Sequence, residues 1–116
     1  MKSKQEIIEY CKTLPETYED YPFDDETAVM RCRGNKKIFV LIFVRGDVLW
    51  INVKVDPEWA GFWRNAYDSV VPGYHMNKKH WNTIIMDGTV PWEEVKRMIA
   101  ESYDLVKPRV KKPNFI

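Results

Sequence analysis

Apolar positions recur every three to four residues at the start of this chain: Ile7, Ile8, Cys11 and Leu14 share one helical face, and Pro15 stops it. Ser3 and Glu6 have capping-box spacing, in which each side chain reaches an otherwise unpaired N–H of the first turn. The period then disappears in "PETYEDYPF" (15–23), which reads as a loop that Tyr18, Tyr21 and Phe23 pin to the core. Three β-branched and aromatic runs follow: "TAVMRCR" (27–33), "KIFVLIFV" (37–44) and "VLWINVKV" (48–55), separated by the short glycine turns "GNK" and "RGD". The middle run is apolar on both faces, which predicts a central strand, whereas the third alternates and has one drier face.

"DPEWAGFWRNAY" (56–67) predicts a second helix with Asp56 as N-cap and Pro57 in its first turn. Trp59, Phe62, Trp63 and Ala66 recur at helical spacing and read as a core stripe, with Gly61 permitting close approach to a sheet. "NTIIMDGTV" (82–90) reads as a strand and turn. A last helix opens at Pro91 and carries the stripe Val95, Met98, Ile99, Tyr103 and Val106. The predicted order α-β-β-β-α-β-β-α describes an α+β domain, an antiparallel β-sheet with helices packed on it. One domain is expected over residues 1–107, with a basic, flexible tail over 108–116.

Composition changes little: 45% hydrophobic and 30% charged residues in a chain of 116 make an ordinary globular mixture. The formal charge is only +1, but it is unevenly distributed. Glu16, Glu19, Asp20, Asp24, Asp25 and Glu26 form an acidic stretch, and Arg31, Arg33, Lys36 and Lys37 follow directly. A sign-segregated surface is one reading, a solvated charged face the other. Cys11 and Cys32 fit small buried hydrophobes better than a disulfide or zinc pattern. The N-terminal segment lacks the apolar region of a secretion signal, and no run approaches the ~18 apolar residues of a membrane span. The cytoplasm is the expected compartment.

The stretch "PGYHMNKKHWNTI" (72–84) concentrates the candidate chemistry. Its histidines, His75 and His80, are five apart, which suits neither one helical face nor one side of a strand, and no Cys, Asp or Glu accompanies them. A metal is therefore not expected, and because Ser3, Ser69 and Ser102 lack a glycine-elbow context and neither cysteine neighbours a histidine, catalytic residues and a cofactor are expected to be none as well. One reading is structural: Gly73 supplies a positive-φ turn, Asn77 bonds its own backbone, and Tyr74 and Trp81 pair across a hairpin whose tip is "MNKK". Another uses the same hairpin for duplex DNA, with Lys78 and Lys79 on phosphates, His80 and Asn82 on sugar or base, and Arg33, Lys36 and Lys37 on a second tip.

In these residues the sequence resembles the MmcQ/YjbR family. The resemblance runs through "YCKTLPETYEDYPF" (10–23), "INVK" (51–54), "DPE" (56–58), "PGYHMNKKHWNT" (72–83), "DGTVP" (87–91) and "SYDLV" (102–106). It implies an α+β fold like that of type III secretion chaperones, described as carrying a double-wing DNA-binding motif. It implies no reaction, cofactor or catalytic residue. The expectation is a non-enzymatic DNA-binding domain whose contact with DNA is weak and salt-dependent. The alternatives are a protein- or peptide-binding adaptor using an exposed apolar sheet face, and a small-molecule pocket around His75 and His80.

Overall fold

A computed structural model describes residues 2–109. The first helix, α1 (Lys4–Lys12), starts where the capping box predicts: Ser3 Oγ accepts from the Glu6 N–H, and Glu6 Oε1 accepts from the Ser3 N–H. Ile7, Ile8 and Cys11 on its inner face are fully buried. The predicted 15–23 loop is instead interrupted by a short strand, β1 (Thr17–Asp20). Thr17 pairs with Cys32 and Asp20 with Val29, so charged Glu19 and Asp20 lie on an edge strand, a position where polarity discourages further pairing. Beyond it, Phe23 is 66% exposed and does not anchor the connection. The anchors are polar: the Asp24 carboxylate accepts from the Glu26 and Thr27 N–H groups, and Lys4 Nζ donates to Glu26 O.

β2 (Ala28–Cys32), β3 (Ile38–Arg45) and β4 (Val48–Lys54) form the expected meander. Gly46, at φ 61°, opens the two-residue turn between β3 and β4. After β4 comes α2 (Pro57–Ala66), capped by the Asp56 carboxylate on the Glu58 N–H, then β5 (Val70–Pro72), β6 (Trp81–Ile85) and α3 (Trp92–Val106). The six strands are antiparallel in the order β1-β2-β3-β4-β6-β5. The helix and strand succession is thus the predicted one with an added edge strand. Apolar β3 is an interior strand, as its pattern requires.

All three helices pack into one core with a single face of the sheet. Ile7, Ile8 and Cys11 of α1, Ala60 and Trp63 of α2 and Val95, Met98 and Ile99 of α3 meet Ala28, Met30, Val40, Ile42, Ile51, Val53 and Ile84. Ser102 lies on the α3 stripe but is polar. Its hydroxyl donates to Phe39 O and accepts the Lys54 N–H, bridging β3 and β4 from above. Among the described residues, no helix packs on the opposite face. Among the described residues no helix is long and apolar enough to cross a membrane. Residues 110–116 of the predicted tail lie outside the described residues.

Candidate functional site: the open sheet face and its basic end

Register sets out the uncovered face. Leu41, Asn52 and Thr83 align across β3, β4 and β6, and Phe43, Trp50 and Ile85 form the next row. Asn52 and Thr83 are polar yet almost wholly buried, and the reason is the connection 73–80 that folds over them. Thr83 Oγ1 donates to Asn52 Oδ1 (2.5 Å) and accepts the Tyr74 N–H (2.8 Å), while Asn52 Nδ2 donates to Tyr74 O (3.1 Å). Two strand side chains thereby hold both backbone groups of Tyr74. The Tyr74 ring stacks on Phe43 (6.0 Å) and meets Trp50 edge-on (5.6 Å), and the Arg45 guanidinium lies over both Tyr74 and Trp50.

The connection differs from the expected hairpin in several respects. Tyr74 and Trp81 do not pair; Tyr74 packs across the sheet face instead. Gly73 is not in the left-handed region. It is small because a Cβ there would fall 2.7 Å from Trp81 Cβ and 3.0 Å from Trp81 O. The positive φ belongs to His75, at 58°, whose ring lies 4.0 Å from that of Tyr74. Asn77 does bond its own turn, its Oδ1 accepting the Lys79 N–H. Asn82 is 1% exposed: its Oδ1 accepts from Arg64 Nε (2.7 Å) and its Nδ2 donates to Ala60 O. A side chain so committed cannot reach a nucleic acid, which removes Asn82 from the expected contacts.

Arg64 is the residue that sequence reasoning missed. From the inner side of α2 it donates to Asn82, to Lys78 O and to Trp81 O, so one guanidinium ties the connection to the helix layer. Lys78 Nζ in turn donates to Gly73 O (3.1 Å), leaving two of its three donors uncommitted. Lys79 is exposed, with no ion pair among the described residues. His80 bridges through its backbone, accepting the Val55 N–H and donating to Asn77 O.

A cleft of about 460 Å³ runs along the open face between the acidic connection and residues 74–76, over Leu41, Phe43 and Asn52. His75 lines it, whereas His80 and Trp81 do not, so this cleft is not one that the two histidines share. Asp24 and Glu26 stand on its rim, and the backbone N–H groups of Thr27 and Glu26 hold the Asp24 carboxyl below its ordinary pKa. Among the described residues, no group of three or more His, Cys, Asp and Glu side chains is placed to hold a metal ion.

The two basic turns share one end of the sheet. β3 begins, β4 ends and β6 begins at that end, because each is antiparallel to the next, and Lys54 pairs with Trp81 there. Arg33, Lys36 and Lys37 therefore lie two strand spacings, roughly 10 Å, from the connection bearing Lys78 and Lys79. The 33–37 turn is braced: Arg31 donates to Lys36 O, Asn35 Nδ2 to Val106 O, and Arg33 N–H to Glu16 O. Lys107 and Arg109 follow α3 at the same end. The acidic connection 20–26 enters β2 at the opposite end.

A model of the YjbR family matches residues 12–105. The uncharacterized protein YyaQ of Bacillus subtilis is 31% identical, with 92% of this chain and all of that protein covered. The uncharacterized protein YbdF of Escherichia coli O157:H7 is 35% identical over 89% of this chain and 86% of its own. A Deinococcus radiodurans crystal structure superposes with a TM-score of 0.83 at 39% identity, covering 90% of this chain and 78% of that one. A Pseudomonas syringae structure gives 0.79 at 31% identity, covering 90% and 99%. With most of its length matched by the family and by full-length relatives, this chain belongs to the YjbR family.

Proposed function

We propose that this protein is a non-enzymatic binding domain that takes the phosphate backbone of duplex DNA at the basic end of its sheet. One observation carries the reading: Arg33, Lys36, Lys37 and Lys79 lie on turns at that end without ion pairs among the described residues, outnumbering Glu16, Asp56 and Asp104 there, while acidic residues 20–26 enter the sheet at the other end. A chain of net charge +1 attracts a polyanion only where its charges are segregated. Both turns are braced by side-chain hydrogen bonds, which lowers the entropy lost when their cations meet phosphates. The spacing of roughly 10 Å is comparable to a major groove width of about 12 Å. The contacts are to phosphate, so affinity is steeply salt-dependent and carries little sequence information.

The test is fluorescence anisotropy of a labelled 25-base-pair duplex titrated between 20 and 200 mM salt. Four to five neutralised phosphates give a slope of log K against log salt of about −4. Lys36→Ala/Lys37→Ala/Lys79→Ala shallows that slope by about 3, each lost contact removing nearly one. Lys78 is left intact because it also supports its own loop. Lys2→Ala, at the other end, leaves the slope unchanged. Equal slopes for wild type and the triple variant would refute the proposal.

A further inference from the structure

Of the predicted core stripe of α2, only Trp63 is core, and Ala66 is exposed. Trp63 is buried, but Trp59 is 56% exposed and Phe62 54% exposed. They meet edge-to-face, and Phe62 continues edge-to-face onto Trp63. Across from them, Leu105 of α3 is 47% exposed. These side chains do not point into open solvent separately. With Val55 and Trp63 they line one groove of about 350 Å³ between α2 and α3. Clustered large apolar groups of this kind mark contact surfaces, whereas isolated ones do not.

We infer that this α2–α3 groove is a docking site for a basic amphipathic helix of a partner protein. The walls are two helices, and α2, at ten residues, is about 15 Å long, enough for apolar anchors at i, i+3 or i+4, and i+7. Charge selects the occupant. Among the described residues, Asp56, Glu101 and Asp104 line the groove with one cation, Arg97, and Lys107 reaches Asp104 from outside the lining, which leaves the carboxylates in excess by one. Arg97 pairs with Glu101 at 3.4 Å, and Asp104 pairs with Lys107 at 3.0 Å. These are exposed pairs worth little and easily exchanged, so lysines or arginines of a guest can take over the carboxylates. A second copy of the chain is a poor occupant: a two-fold contact places the same patch on both sides and sets carboxylates against carboxylates. An anionic membrane meets the same repulsion. The groove faces away from the open sheet face, so this inference stands independently of DNA binding.

The probe is a synthetic 15-residue helix with leucine along one face and lysine elsewhere. Its controls are a leucine–glutamate twin and a scrambled leucine–lysine peptide. Binding is followed by amide and indole NMR shifts and by calorimetry. The leucine–lysine helix is expected to move the Trp59 indole and the Phe62 and Leu105 amides, and to bind at least tenfold more tightly than either control. Phe62→Ser/Leu105→Ser, at sites already half exposed, keeps the thermal midpoint within a few degrees and weakens binding at least tenfold. Glu101→Lys/Asp104→Lys, with the apolar groove intact, reverses the preference toward the glutamate twin. The inference is overturned by equal binding of both twins, by no binding of either, or by shifts centred on Phe43 and Tyr74. Self-association of the free protein that Leu105→Ser abolishes would also overturn it, by assigning the groove to a second copy.

Discussion

Replacing Thr83 by valine removes one hydroxyl and almost no volume. Thr83 is fully buried, and its Oγ1 both donates to Asn52 Oδ1 and accepts the Tyr74 N–H. The variant leaves those two groups unpaired beneath the 73–80 connection. Each orphaned buried group costs about 1–3 kcal/mol, and a buried methyl in place of a hydroxyl returns roughly 1 kcal/mol. The net loss is about 1–5 kcal/mol. With an unfolding entropy near 2.1 cal/mol/K per residue, that lowers the thermal midpoint by about 4–20 °C. Thr83→Ser is the decisive comparison. It keeps the hydroxyl and loses a methyl, costing about 0.5–1.5 kcal/mol. Apolar burial alone ranks valine above serine, and the hydrogen-bond network ranks serine above valine. Urea melts of the three proteins give the order, and hydrogen exchange at the Tyr74 amide reports the loop directly, with protection lost in the valine variant and kept in the serine variant. A valine variant within ~0.5 kcal/mol of wild type, with Tyr74 still protected, would refute the reasoning.

Two glycines predict opposite signs. Gly61→Ala raises stability by about 0.5–1 kcal/mol in urea melts, because the site is exposed inside α2 with nothing within 4 Å, while Gly73→Ala lowers it because its Cβ meets Trp81. Asp87 accepts hydrogen bonds from the Ser69 hydroxyl and from the Thr89 hydroxyl and N–H, which hold its carboxyl below the ordinary value. A depressed folded pKa stabilises above the unfolded value of about 3.9 and ceases to do so as pH falls through the folded one. Asp87→Asn is therefore less stable than wild type at pH 7, and the gap closes toward pH 3; a constant gap contradicts the assignment. Burial pushes the Cys11 thiol up to about 12 and raises that of Cys32 as well. Neither reacts with an aromatic disulfide reagent at pH 8 until urea unfolds the protein, and rapid native labelling of either contradicts this.

How far the fold was legible depended on whether local pattern and tertiary need coincided. Ser3, Asp56 and the α3 stripe were readable because capping and helical period act within a few residues. β1 was not: Thr17–Asp20 has no apolar alternation, since an edge strand over charged surface needs none, and its partner Val29–Cys32 supplies the order. The α2 stripe misled for the converse reason. A period of three to four residues shows which positions share a helical direction, not how wide a sector the sheet covers. Trp63 and Ala60 fall inside that sector, and Trp59 and Phe62 fall at its margin. The location of the two basic turns was unreadable in principle, because it depends on β6 pairing with β4 rather than with β5 alone.

The unusual polarity of residues 72–83 now has a specific cause. An eight-residue connection that crosses the face of a sheet makes few ladder hydrogen bonds, yet its partly buried backbone groups still need partners. Asn77 serves Lys79, Thr83 and Asn52 serve Tyr74, Lys78 serves Gly73, and Arg64 serves Lys78 and Trp81. Composition alone is therefore no argument for a ligand at this loop: the same residues would be needed if it bound nothing. What distinguishes a binding reading is the remainder after those bonds are assigned, namely Lys79, the two open donors of Lys78 and the cations of the neighbouring turn. Removing Arg64 separates the two roles. Arg64→Ala leaves Asn82 Oδ1 buried without a donor and destabilises by about 1–3 kcal/mol, yet it removes no exposed cation from the basic end. Under the proposed DNA-binding function, duplex affinity in that variant falls through loop disorder with an unchanged salt slope, whereas loss of Lys36, Lys37 and Lys79 changes the slope itself.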